Sequence, residues 1–297
     1  PVELIERAMK TPEAVRAIDY TPSIGNFLTM TLLSFFAIML LPRQFQVMVV
    51  ENVDERHLKR ATWAFPLYLL AINVFVLPIA LGGLLHFASA GQAGANPENF
   101  VLSLPLAAGQ PGLALAAFVG GLSAATGMVI VESIAVATMV CNDLVMPALL
   151  KAQPGRDFSR VPLAVRRVVI VALLLLGYLY FRVAGEAYAL VSIGLISFAA
   201  VAQFAPALIG GMYWKGGTRA GALAGLAGGF MLWAWTLLLP SIAKSGWLPL
   251  SFVTDGPWGL ALLRPEQLLG LSGLDNLTHA LLWSLLANVG LYVAVSL

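Results

Sequence analysis

The stretch NFLTMTLLSFFAIMLLPRQFQVMVVENVDERHLKR, residues 26–60, decides the class of protein to which this chain belongs. Residues 26–41 carry no charge, and Pro42 follows them. A bilayer core about 30 Å thick needs about 20 apolar residues per helix, so residues 26–50 are long enough to cross it. The charged residues between Glu51 and Arg60 are typical of a segment in water. The stretch therefore predicts a membrane-spanning helix that is broken near a proline and ends in an aqueous loop.

The composition extends this interpretation to the whole chain of 297 residues. Hydrophobic residues make up 59% and charged residues 11%, whereas a soluble domain has about 25% charged residues. The net charge of +2 is too small to predict nucleic acid as a partner, and the single cysteine, Cys141, cannot form an internal disulfide. No catalytic or metal-binding motif is present, so we expect an integral membrane protein with no enzymatic activity, no metal and no cofactor in these residues.

Seven segments are long and apolar enough to span a bilayer. They lack the alternation of barrel strands, so they predict helices and an all-α fold. The predicted spans are Asn26–Val50, Thr62–Phe87, Gly112–Leu150, Leu163–Arg182, Tyr188–Trp214, Gly221–Pro240 and Thr278–Leu297. The third is longer than a perpendicular helix requires, which predicts either a tilt or a break, and Gly120, Gly121 and Gly127 are its soft points. Small residues at helical spacing, Ala116, Gly120, Ala124 and Ala125, predict close packing there.

Basic residues predict the orientation of these spans. When the segment before the first span is counted as the first connection, the second, fourth and sixth connections hold eleven Lys and Arg, against six in the others. The third connection, the loop Ala88–Gln110, holds none. Cytoplasmic loops are enriched in basic residues. We therefore expect Pro1 on the periplasmic side and Leu297 in the cytoplasm of a bacterial inner membrane.

Acidic residues inside apolar spans are functional candidates. Glu132 lies well inside the third span, next to Ser133, and Asp143 lies near its cytoplasmic end. Loss of hydration favours the neutral form of a carboxyl group, so Glu132 is a candidate for reversible protonation. The alternative is that Glu132 only pairs with a polar group on another helix. Ser34, Phe35 and Phe36 lie near the middle of the first span, just before the expected break.

The fifth and sixth spans carry a resemblance to a known family. The stretch YALVSIGLISFAAVAQFAPALIGGMYWKGGTRAGALAGLAGG, residues 188–229, resembles the signature region of the sodium/solute symporter family. The matching features are Leu190-Val191-Ser192, Phe198, Phe204, Pro206, Trp214, Thr218-Arg219 and the GALAG run from Gly221. One feature departs from the family pattern: the basic residue before this run is shifted by one position relative to the family, to Lys215.

The resemblance implies a LeuT-type fold of two inverted repeats with additional helices. In that register residues 1–297 form one symporter-like transmembrane domain that holds the second repeat and two trailing helices, and we expect the first repeat upstream in a longer protein. The first span then corresponds to the broken helix next to the solute. The implied substrate-binding residues are Ser34, Phe35, Phe36, Ala37 and Ile38.

The resemblance also implies an ion site on the third span, and here the sequence departs from the family. Adjacent hydroxyl residues are expected at a set distance before Asp143, where this chain has Gly127 and Met128. Ser123 and Thr126 lie nearby but out of register, although a one-residue distortion of the helix would bring Thr126 into use. We therefore expect coupling to protons rather than sodium, with Glu132, Thr126, Ser123 and Ser133 as the candidate residues.

The stretch LPRQFQVMVVEN, residues 41–52, resembles symporter-like domains fused to sensor histidine kinases, as do Asn96–Leu102 and SAATGMVIVES, residues 123–133. The resemblance implies a membrane input domain that binds or transports a small organic solute, such as an amino acid, and signals to a cytoplasmic kinase and a response regulator. The parent chain would then be an enzyme. A stand-alone secondary transporter and a membrane scaffold without a ligand stay open as alternatives.

Overall fold

The computed structural model describes residues 14–15, 18–89, 96–153, 158, 160–184 and 190–297. In these ranges most residues are helical and none lies in a strand. The prediction of an all-α protein is therefore confirmed. The predicted position of Pro1 and the basic residues Arg7, Lys10, Arg16 and Arg156 lie outside the described residues.

The α-helices of at least four residues are, in chain order, α1 Ile24–Leu40, α2 Pro42–Phe45, α3 Glu55–Ser89, α4 Phe100–Ala107, α5 Pro111–Met139, α6 Met146–Ala152, α7 Val161–Ala184, α8 Leu190–Ala202, α9 Ala205–Tyr213, α10 Arg219–Trp233, α11 Leu239–Lys244, α12 Ser251–Thr254 and α13 Asn276–Ser296. In the described part of the chain six helical segments are long and apolar enough to cross a membrane, or seven if the bent pair Ile24–Leu40 and Pro42–Val50 counts as one span. The chain is thus a multi-pass membrane protein. Which end faces the cytoplasm stays a prediction.

The chain divides into two compact units. The first consists of residues 1–21 and 46–157 and contains α3 to α6. Its contact between α3 and α4 is made by aromatic rings, because Phe100 at the start of α4 is buried and stacks on Phe87 with 5.5 Å between the ring centroids.

The third span of the chain lies in the first unit and has no break at its three glycines. Helix α5 runs without interruption through Gly120, Gly121 and Gly127, and the irregularity is a π-helical segment, Val140–Val145, before α6. Pro147 explains this position, since a proline has no N–H to donate and cannot continue a regular hydrogen-bond ladder. A glycine, unlike a proline, keeps its backbone N–H and can still donate its helical hydrogen bond. The backbone flexibility of glycine alone therefore does not break the helix.

The packing partner predicted for the small residues of this span is not found among the described residues, so this packing stays a prediction. Ala116, Gly120, Ala124 and Ala125 lie in a stretch of α5 whose side chains are mostly exposed, and no described atom lies within 4 Å of a Cβ placed on Gly120. Small residues permit a close approach between helices, but they do not specify which partner makes it.

The second unit, residues 22–45 and 158–297, contains the remaining helices. Its hydrophobic core joins α1, α8, α9 and α13 with the π-helical segment Ala234–Leu238; the buried members are Leu33, Phe36, Ala199, Ala202, Ala205, Leu237, Ala280 and Leu281. The alanines leave room for the larger side chains of α1 and α13.

Helices α10 and α13 form the closest helix pair of this unit. Gly221, Gly225 and Gly229 recur every four residues on α10 and are all buried. A Cβ on Gly225 would lie 2.7 Å from the backbone oxygen of Asn288, so the two backbones touch. A stripe of glycines thus brings these helices together, as small residues do in membrane proteins.

Candidate functional site

The predicted break in the first span is confirmed. Helix α1 ends at Leu40, Leu41 is extended (φ −66°, ψ 130°), and the helical axis bends by 50° between Ile24–Leu40 and Pro42–Val50. Pro42 has no N–H, so the carbonyl group of Ile38 has no donor at the usual position four residues later. The break therefore leaves a backbone acceptor next to the candidate residues.

The five substrate-binding candidates lie on different sides of α1. Phe36 and Ala37 are buried in the second unit, and Phe36 belongs to its hydrophobic core. Ser34, Phe35 and Ile38 are exposed. The ring of Phe35 lies 5.7 Å from that of Phe36, centroid to centroid. A single solute cannot touch all five side chains, because they point to different sides of the helix.

Phe36 lies at the wall of a cleft of about 350 Å³. The cleft is lined by Phe36, Ala205, Pro206, Ile209, Gly210, Trp214, Leu285, Val289, Tyr292 and Val293. Its volume falls in the lower part of the range of roughly 300–1,000 Å³ found for small-molecule sites. The rings of Trp214 and Tyr292 pack edge to face at 5.4 Å. The lining suits an apolar part of a solute.

The coupling candidates lie together on α5, in the first unit. Ser133 is buried and donates its hydroxyl hydrogen to the carbonyl of Val129 at 2.6 Å. Thr126 is exposed and donates to the carbonyl of Leu122 at 2.7 Å. Ser123 is exposed as well, and Glu132 is half-buried. Both bonded hydroxyl oxygens keep lone pairs, so they can still accept hydrogen bonds or contact a cation.

The π-helical segment Val140–Val145 bears on the register of these residues. It follows Thr126 along the chain and contains Asp143, and a π-bulge adds one residue to a turn of an α-helix. This is the kind of one-residue distortion that brings Thr126, in place of Gly127, toward a position expected for a hydroxyl ligand. The role of Thr126 stays a prediction.

The substrate-binding and coupling candidates belong to different compact units. Among the residues that the structure describes, no three His, Cys, Asp or Glu side chains are close enough to hold a metal ion.

A buried polar cluster in the second unit is a feature that sequence reasoning missed. The turn between α8 and α9 places the amide of Gln203 in the core, where its Nε2 donates to Ser284 Oγ at 2.9 Å. Asn288 Nδ2 donates to the carbonyl oxygen of Gln203 at 2.7 Å and to its Oε1 at 3.2 Å. The sequence signal is Ser284, Asn288, Tyr292 and Ser296 at four-residue spacing along an apolar span.

This polar cluster is densely packed. A Cβ on Gly225 would approach Asn288 Oδ1 to 2.8 Å, and one on Gly229 would collide with Gln203 Oε1. Pro206 has no N–H, so the carbonyl of Ala202 lacks its usual donor where α8 ends. The amide of Asn288, on α13, stabilises this break between α8 and α9 through its hydrogen bond to the carbonyl of Gln203. The cluster therefore holds the broken fifth span against the last helix and leaves no space for a ligand.

Comparison of the chain with protein-family models, with curated proteins and with solved structures finds no match.

Proposed function

We propose that this chain is a solute-binding membrane domain of the sodium/solute symporter type that serves as the input domain of a sensor histidine kinase. The solute is a small organic molecule with an apolar part. It binds beside the broken first span, and its binding alters a cytoplasmic kinase in the same parent protein.

One observation carries the proposal: Phe36 lines the cleft and lies on the helix that ends at the break at Leu41–Pro42. Discontinuous membrane helices are typical of solute sites, because the break exposes backbone groups that a solute can contact. Phe36 precedes Pro42 by six residues, about 1.7 helical turns, and contributes to the wall of the 350 Å³ cleft. A solute in this cleft therefore contacts the same helix that carries the break.

Glu132 is the proposed coupling residue in the first unit. It is half-buried in an otherwise uncharged stretch of α5. Reversible protonation of this carboxyl group would link solute binding to pH and would leave little dependence on sodium. Thr126 and Ser123 provide the hydroxyl groups from which a sodium site would have to be built.

A stand-alone secondary transporter is the second candidate, and the two broken spans favour it. The break at Pro42 and the turn between α8 and α9 interrupt separate spans of the second unit. Alternating access in secondary transporters relies on helices of this kind.

Replacement of Phe36 tests the solute site. Phe36→Trp adds volume to the wall of the cleft and should abolish binding of the solute by the purified full-length protein. Leu32→Trp is the matched control, since Leu32 is exposed on the same helix and does not line the cleft. Ser34→Trp tests whether the exposed side of the helix also contributes. If Phe36→Trp and Leu32→Trp insert normally and bind the solute with equal affinity, then the cleft is not the solute site.

Kinase and transport assays separate the two candidate functions. For a sensor, a panel of amino acids and small carboxylates should contain a compound that changes the autophosphorylation rate of the full-length protein. For a stand-alone transporter, the same compound should accumulate in liposomes that contain the protein and should leave phosphorylation unchanged.

A further inference from the structure

A second cavity in the second unit has a volume of about 240 Å³ and both signs of charge in its lining. It is lined by Ser192, Leu195, Ile196, Thr236, Leu237, Pro240, Ser241, Lys244, Glu266, Asn276 and Leu277. It shares no lining residue with the cleft beside Phe36. A ligand here is therefore independent of the solute site proposed above.

The ends of three spans meet at this cavity. Ser192 begins one span, Lys244 ends the next and Asn276 begins the last. Consecutive spans cross the membrane in opposite directions. The start of the first, the end of the second and the start of the third therefore lie at the same membrane surface. The cavity is thus accessible from water and from the headgroup region of the lipid.

An ion pair between Lys244 Nζ and Glu266 Oε1 forms the charged part of the lining. The two side chains keep 39% and 23% of their surface exposed. An ion pair with this much exposure contributes little to stability, so a ligand can separate the partners at small cost. A ligand with only one charge would leave either Lys244 or Glu266 without a partner.

The rest of the lining adds hydrogen-bonding groups and an apolar floor. Thr236 is buried and donates its hydroxyl hydrogen to the carbonyl of Leu232 at 2.7 Å, which leaves its oxygen able to accept. It lies in the π-helical segment Ala234–Leu238, and such segments are frequent at functional sites. Leu195, Ile196 and Leu277 supply apolar surface.

We propose that this cavity binds a small ligand that carries both an ammonium and an anionic group. The anionic group contacts Lys244 and the ammonium group contacts Glu266, so that the ligand replaces the ion pair with two charge-assisted contacts. The volume lies just below the range of roughly 300–1,000 Å³ for drug-sized ligands, which suits a small zwitterion. Two sources share this chemistry: a free α-amino acid and the headgroup of an ethanolamine phospholipid.

Binding to the purified full chain in detergent tests the first source. The probes are L-leucine, its N-acetyl derivative, which lacks the ammonium group, and its methyl ester, which lacks the carboxylate. L-Leucine should bind about tenfold tighter than either derivative, since each lost charge-assisted contact weakens affinity by about tenfold or more. Lys244→Met and Glu266→Gln should each weaken L-leucine binding by a similar factor.

Lys244→Met and Glu266→Gln should also show an exchange of preference, in which each variant binds a different one of the two L-leucine derivatives more tightly. Glu266→Gln leaves a lysine and should favour N-acetyl-L-leucine, whereas Lys244→Met leaves a carboxylate and should favour the methyl ester. A merely structural ion pair would not produce this exchange. Lys244→Arg, which keeps the charge, and Lys215→Met, a lysine outside the lining, should bind like the wild type.

Lipid analysis tests the second source. If the ligand is a headgroup, L-leucine will bind the wild type no better than the folded double variant Lys244→Met/Glu266→Gln. The wild type will then retain phosphatidylethanolamine through purification at about tenfold higher occupancy than this double variant. Phosphatidylcholine, which has no N–H donor, should not replace it. The proposal is overturned if neither L-leucine nor phosphatidylethanolamine distinguishes the wild type from the double variant.

Discussion

The contact between α10 and α13 makes a direct prediction about stability. Gly225→Ala places a Cβ 2.7 Å from the backbone oxygen of Asn288, 2.8 Å from its Oδ1 and 3.0 Å from Cβ of Tyr292. The nearest atom belongs to a helix backbone, which cannot rotate away as a side chain can. The helices must therefore separate at this point by about 0.7 Å, from 2.7 Å to an ordinary contact of 3.4 Å.

The expected cost follows from this separation. Forcing additional atoms into a packed interior costs about 1–3 kcal/mol, and a fixed backbone atom places this site in the upper half of that range. Alanine also favours a helix over glycine by about 0.5–1 kcal/mol. Gly290→Ala is the matched control, because no atom of the described residues lies within 4 Å of a Cβ placed there and it receives the same gain in helix propensity. Gly225→Ala should therefore be less stable than Gly290→Ala by about 2–3 kcal/mol.

Equilibrium unfolding of the purified chain in mixed dodecyl maltoside and SDS micelles, followed by tryptophan fluorescence, measures this difference. The slope of the unfolding transition should be the same for both variants, so that the midpoints report stability directly. If the two variants differ by less than about 0.5 kcal/mol, the usual scale of a surface substitution, then α10 and α13 do not make the close contact described here.

Three further predictions use the same protein. Asn288→Leu removes the amide that donates at 2.7 Å to a buried carbonyl oxygen and should lower stability by about 1 kcal/mol, the scale of interhelical hydrogen bonds in membranes; an unchanged unfolding midpoint would contradict this. In a Cys141→Ala background, a cysteine in the Lys151–Arg167 loop should resist an impermeant thiol reagent in intact cells while one in the Ala88–Gln110 loop reacts, and the reverse labelling would invert the predicted topology. Glu132→Gln keeps the shape of the side chain but cannot titrate, so it should flatten the dependence of solute binding on pH; a variant that retains the wild-type pH profile, together with a need for a sodium gradient, would leave Glu132 as a structural partner only.

The class of fold and the position of the first break could be predicted from the sequence because both depend on local properties of the chain. Whether a segment can cross a bilayer depends on its length and its apolar character, which are visible in residues 26–50 without knowledge of any neighbour. The break at Pro42 follows from a missing N–H group, a property of one residue. The predicted spans therefore agree closely with the helices of the structure.

The site could be predicted only in part, because most of its walls come from residues that are distant along the chain. The sequence directed attention to residues 34–38, but the side chain that reaches the cleft is Phe36, and the other walls come from α9 and α13. Those walls are about 170 to 260 residues away along the chain, and no local pattern in α1 encodes them.

What the sequence determined by itself is that this chain is an all-helical, multi-pass membrane protein with a first span broken at a proline. Tertiary structure alone decided which stripe of small residues is used for packing, since Gly225 has a partner and Gly120 has none within 4 Å among the described residues. It likewise decided that Gln203 and Asn288, 85 residues apart, share hydrogen bonds. The physical reason is that small and polar residues only permit a contact in a membrane, and the fold determines where the partner lies.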